Sequence, residues 1–147
     1  MIPNKGVPSR ETFWYPAHDG NKWRSVEARW NVEDILNHIF PRDYSETYHK
    51  VATLLMNLFL QNPDGVDGDT LGKWIKEKGL SKATIYNRVL PKLRSFGLIK
   101  RERLEGKSLI TPSLSFASHL IHVGNQWIEI VKTARADHKE KMKEKFA

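Results

Sequence analysis

A chain of 147 residues, 39% hydrophobic and 28% charged, has the length of about one domain and the composition of a soluble globular protein. It has no cysteine, so disulfides and thiolate metal sites are excluded. Its longest apolar run, VATLLMNLFL, is broken by Thr53 and Asn57 well short of the ~20 residues that cross a bilayer. The net charge of +7 favours anionic partners, and MIPNKGVPSRETFW holds no apolar core of signal-peptide length, so a cytoplasmic location is expected.

Residues 1–43 read as an aromatic-rich arm followed by a short helix. Trp14, Trp23 and Trp30 stand there with Phe13 and Tyr15, among Pro3, Pro8, Pro16, Gly6 and Gly20, so residues 1–21 are expected to be irregular and anchored by their rings. KWRSVEARW fits a short strand, with Arg24, Val26, Ala28 and Trp30 on one face. NVEDILNHIF fits a short helix, with Asn31 as N-cap, Glu33 and Asp34 in the first turn, and Pro41 beyond its end.

From Tyr44, Ser45 can cap a helix in which Val51, Leu54, Leu55, Leu58 and Phe59 recur at helical spacing. QNPDGVDGD is a turn, with Asp69 as the expected cap of a second helix that places Leu71, Trp74 and Ile75 on one side and stops at Gly79. Ser81 opens a third helix with an apolar stripe of Ile85, Val89, Leu93 and Phe96, ended by Gly97. Pro91 removes one donor from it and should bend it or tighten its turn. On ~100° per residue, its outward face carries Ala83, Thr84, Asn87, Arg88, Pro91 and Arg94, flanked by Lys82 and Tyr86.

Beyond Gly97, LIKRERLEGKSLIT reads as two strands around a turn at Glu105, Gly106 and Lys107, with Arg101 and Arg103 on one face. Pro112 and Ser113 then open a helix to about Arg135 with two apolar rows. Phe116, Leu120, Val123, Trp127, Ile130 and Ala134 form one; Leu114, Ala117, Ile121, Gly124, Ile128 and Val131 form the other. This face is wider than one packing partner needs. The tail DHKEKMKEKFA is expected to fray.

The charge is local. From Lys78 to Lys107 there are nine basic residues (Lys78, Lys82, Arg88, Lys92, Arg94, Lys100, Arg101, Arg103, Lys107) against Glu102 and Glu105, so this window carries the chain's whole +7. Three helices followed by a basic hairpin, and especially LSKATIYNRVLPKLRSFGLIKRE, resemble the winged helix-turn-helix of bacterial and archaeal transcription regulators, over about residues 44–112. The resemblance implies a mainly α fold, with a three-helix core and a β-hairpin wing. It also implies that residues 113–147 form a dimerisation helix like those of the MarR-type and PadR-type proteins, with Phe116, Leu120, Val123, Trp127, Ile130 and Ala134 in the homodimer interface. The Trp-rich segment has no counterpart in that resemblance.

The residue types fit double-stranded DNA on their own terms. Asn87 can pair bidentately with adenine, Arg88 with guanine, and Thr84 and Ala83 can lie against a thymine methyl. Ser81 and Lys82 suit a phosphate, and Arg101, Arg103 and Lys107 the backbone or a minor groove; Tyr86, Arg94 and Lys100 complete the expected DNA-binding set. The expected function is sequence-specific binding by a homodimer in transcriptional regulation. Replication initiation, plasmid partition or chromosome architecture, in an archaeon or on a mobile element, is the alternative among DNA proteins, and a protein-interaction module the alternative outside them. No nucleophile elbow or phosphate-cradling loop is present, so no enzyme is expected. His119, His122 and Glu129 read as part of a polar helical strip, and Asp64, Asp67 and Asp69 as turn residues, so neither metal nor cofactor is expected.

Overall fold

A computed structural model describes residues 12–14 and 29–146; over these the chain is mainly helical, with one three-stranded antiparallel sheet. It divides into two compact units, Met1–Ser113 and Leu114–Ala147. Apart from residues 12–14 and 29–30, the expected arm and the strand in KWRSVEARW lie outside the described residues.

In the first unit the helix starts follow from local hydrogen bonding. Helix α1 (Val32–Leu36) opens with a reciprocal capping box: Asn31 Oδ1 accepts from the Asp34 N–H, and Asp34 Oδ2 accepts from the Asn31 N–H, each at 3.0 Å. Helix α2 (Glu46–Gln61) is capped by Ser45, whose hydroxyl accepts from the Tyr48 N–H. It buries Val51, Leu55 and Phe59 and leaves Leu54 and Leu58 half-buried. The turn after α2 contains a two-residue strand, β1 (Val66–Asp67), too short to show a period in the sequence. Helix α3 (Gly68–Lys78) is capped by Asp67, not Asp69; the Asp67 carboxylate accepts from the Thr70 N–H at 2.7 Å, and Asp69 sits in the first turn. Gly79, at φ +66°, ends α3 in the left-handed conformation.

The third core helix is not uniform. It runs as α4 (Lys82–Thr84), a π-helical turn (Ile85–Val89) and α5 (Leu90–Ser95). The Leu90 N–H donates to the Ile85 carbonyl, five residues back. Pro91 supplies no donor and its ring presses on the carbonyl four residues before it, so the turn ahead of it widens rather than tightens. An extra residue in that turn shifts the phase of the rest of the helix by roughly one position. Pro91, expected on the outward face, is therefore buried with Leu90, Lys92 and Leu93.

Strands β2 (Ile99–Leu104) and β3 (Lys107–Pro112) pair antiparallel, Arg101 opposite Ile110 and Arg103 opposite Ser108. Their turn places Glu105 at φ +52° and Gly106 at φ +80°, the type I′ signature whose twist suits a two-residue hairpin. Strand β1 pairs with the far edge of β3, giving the order β1-β3-β2. The core lies between this sheet and the helices and contains Leu36, Phe40, Leu55, Phe59, Leu71, Ile85, Val89, Leu93 and Ile99. Each such side chain stabilises the fold by about 1.5–3 kcal/mol through burial.

The second unit is helix α6 (Ser115–Phe146), which contains no buried residue. It continues through the tail expected to fray. Residues 135–146 are rich in Lys and Glu, with neither Gly nor Pro, and Asp137 and Lys141 stand four apart on one face. No helix among the described residues is long and apolar enough to cross a membrane.

Candidate nucleic-acid interface

The 82–95 helix and the β2–β3 hairpin carry the charge recognised in the sequence. Eight of the nine cations between residues 78 and 107 are exposed: Lys78, Lys82, Arg88, Arg94, Lys100, Arg101, Arg103 and Lys107. The widened turn presents Asn87 and Arg88 to solvent while Ile85 and Val89 point inward at 0% exposure. Ala83 is exposed one turn earlier, and Thr84 is half-buried. Ser81 is exposed, but its hydroxyl is engaged as the helix cap, accepting from the Thr84 N–H at 3.2 Å. Lys82 Nζ lies 5.9 Å from the centre of the half-buried Tyr86 ring.

Helix and hairpin meet in a small open cleft of about 50 Å³ lined by Tyr86, Leu90, Pro91, Arg94, Ile99, Lys100, Arg101 and Ile110. Four of the expected contact residues, Tyr86, Arg94, Lys100 and Arg101, are thus brought together, and Pro91 forms part of the apolar floor. Ser81, Asn87, Arg88, Arg103 and Lys107 are not among its lining residues. Lys100 is paired with Glu102 at 2.6 Å; on a solvated strand such a pair contributes little to stability and leaves the cation able to exchange partners.

The ninth cation is elsewhere. Lys92 is fully buried, and its Nζ has no hydrogen-bond partner among the described residues. It is enclosed by aromatic rings, 4.7 Å from the centroid of Trp14, 5.2 Å from Phe40 and 5.8 Å from Phe96. The negative faces of the rings attract the ammonium, but loss of water lowers its pKa from 10.5 to about 8. The sequence holds a signal for this, since Ile85, Val89, Lys92 and Phe96 are spaced four, three and four apart.

The aromatic segment reaches this lysine through a short knot of contacts. The Trp14 N–H donates to the His38 carbonyl at 2.8 Å, and His38 Nδ1 donates back to the Trp14 carbonyl at 2.8 Å. The His38 ring is stacked between Phe13, 4.9 Å away, and Trp30, 5.3 Å away. Burial holds its pKa below the ordinary value despite the Trp14 carbonyl. His49 is similar: Nδ1 donates to the Phe40 carbonyl at 2.9 Å and Nε2 accepts from Arg42 Nε at 3.0 Å, fixing a neutral tautomer, with burial the main depressing influence. Trp14 and Trp30 thus pack on the chain's own core, while Trp23 lies outside the described residues.

Comparison of the chain with protein-family models, with curated proteins and with solved structures yields no match.

Proposed function

We propose that the first unit is a winged helix-turn-helix that binds double-stranded DNA sequence-specifically, and that the protein acts as a homodimer in transcriptional regulation. The observation that carries this reading is the coincidence of seven exposed cations, Arg88 among them, with an exposed Asn87 on one helix and the hairpin beside it. The order α2, β1, α3, 82–95 helix, β2, β3, with β1 closing the sheet against β3, suits that fold. The short link from Gly79 to Ser81 suits a helix-turn-helix. In this reading the 82–95 helix enters the major groove, Asn87 and Arg88 meet base edges, and Arg101, Arg103 and Lys107 meet the backbone or minor groove. Two copies joined through α6 would meet half-sites about one helical turn apart.

A titration of salt against affinity for duplexes selected from a random pool tests it. Six phosphate contacts per protomer give a logarithmic slope of roughly −5, and a slope near zero would refute the proposal. Arg88→Ala should relax preference at one base position, whereas Arg101→Ala should weaken all duplexes alike and flatten the slope by about 0.9. Footprints separate the duties: a regulator protects a promoter operator, an initiator or partition protein iterated repeats.

Leu104, 48% exposed near the hairpin tip, favours a second reading in which the wing docks a protein. Partner affinity lost in Arg88→Ala with Arg101→Ala, together with no duplex enrichment, would select it, whereas an intact partner affinity favours DNA as the ligand.

A further inference from the structure

Glycine in the middle of a helix is unfavourable, because it loses more backbone freedom than any other residue and has no side chain to pack. Gly124 stands in the interior of α6 all the same, and a Cβ built there meets nothing within 4 Å among the described residues. Neither a turn nor a close approach by its own described chain calls for glycine at this position. Its surroundings on the helix do distinguish it. On ~100° per residue it sits at the middle of the apolar face, between Leu120 and Ile121 on one side and Trp127 and Ile128 on the other. These four are 44%, 62%, 65% and 48% exposed. It is also the lengthwise midpoint, because Leu114 and Ala134, which end the two apolar rows, lie equally far from it along the sequence.

We infer that α6 pairs antiparallel with α6 of a second copy of this chain, the two helices crossing at Gly124. A bare backbone at the crossing lets the helix axes approach closely and the flanking Leu120, Ile121, Trp127 and Ile128 interlock around it. Reversal of direction about Gly124 sets Ala117 against Val131, Leu120 against Trp127, and Ile121 against Ile128, apolar against apolar throughout. Charge selects this direction over the parallel one. Between Leu114 and Val131 the sole charged residue is Glu129, on the far side of the helix, whereas Lys132–Phe146 carries six cations and three anions. Arg135 continues the seam. A parallel pair in register would press each Arg135 on its own copy, while an antiparallel pair centred on Gly124 carries the charged segments past each other's ends. The apolar strip is about 30 Å long and about 10 Å wide, and covering it on both copies buries on the order of 600 Å², the size of a weak, concentration-dependent association. The inference deepens the homodimer reading and is independent of whether the first unit binds DNA.

The absence of cysteine from the chain makes the test direct. In sedimentation the full chain is expected at twice 17.1 kDa; a monomer at all concentrations up to about 100 Kd of a micromolar pair overturns the inference. Gly124→Leu introduces a good helix former, so helix content by circular dichroism holds or rises while the dissociation constant increases at least tenfold; an unchanged constant also overturns it. Under mild oxidation Ala117→Cys and Val131→Cys should each stay unlinked alone and link to each other when mixed. Self-linking of Ala117→Cys would establish the parallel direction instead.

Discussion

The 82–95 helix and α6 use apolar residues in opposite ways. In the first, Ile85, Val89 and Leu93 are completely buried, and the packing is tight enough to take Lys92 in with them. In the second, residues as large as Trp127 and Ile130 remain 65% and 58% exposed on a helix that buries nothing. A single chain thus holds one helix whose hydrophobic stripe is consumed by folding and another whose stripe is left over. Only the leftover stripe is available to an encounter between molecules.

The contrast breaks most visibly under truncation. Leu93→Ala should lower the unfolding free energy by about 2–5 kcal/mol at every protein concentration. Trp127→Ala should change apparent stability only where concentration favours self-association, and urea unfolding at two concentrations differing a hundredfold distinguishes the two.

Lys92 sharpens it. Removing the ammonium in Lys92→Met replaces an unpaired buried charge by an apolar side chain of similar length and should raise stability by about 1–2 kcal/mol at pH 7, net of the lost ring contacts. The folded pKa of about 8 lies below the ordinary 10.5. Between these values the unfolded chain holds the proton that the folded one has released, so the wild-type protein gains stability as pH rises from about 8 to 10.5. Lys92→Met should lack this gain in denaturant titrations from about pH 7.5 to 9.5.

The buried histidines act on the other side of neutrality. His38 and His49 both have depressed pKa values, so the unfolded chain takes up protons first and stability declines as pH falls through 6.5. Gln at position 38 and at position 49 should flatten the decline between about pH 7 and 5. The smallest effect is expected at the hairpin: Glu105→Asn places at φ +52° a residue that tolerates the left-handed region and should raise stability by about 0.5 kcal/mol.

Much of the fold was legible residue by residue. Asn31, Ser45 and Gly79 were recognisable as helix boundaries because each satisfies backbone groups within a few positions, and a local bond leaves a local signature. Asp69 and Asp67 illustrate the limit: both can cap, and the choice depends on where β1 meets β3, a contact with residues more than forty positions away. The π-turn was equally hidden, because Pro91 announces that a helix must yield without specifying how. Fraying was expected of the tail from charge alone, whereas helix propensity and the spacing of opposite charges prevail there. For the candidate interface, the exposed cations were apparent from composition. The withdrawal of Lys92 from their number depended on Trp14, which lies far away in sequence.

The widened turn at Ile85–Val89 has one more consequence, for how this chain can change. A π-turn is a helix with one residue more than its hydrogen-bond ladder needs, so it behaves as a rotary joint. Leu90–Leu93 anchor one end in the core and the Ser81 cap fixes the other. Deleting or adding one residue between them would swing Ala83–Arg88 by roughly 100° about the axis, leaving Leu90–Leu93 seated but drawing Ile85 out of the core. Substitution alters which side chains face outward; a change of length here alters the direction in which the whole set points.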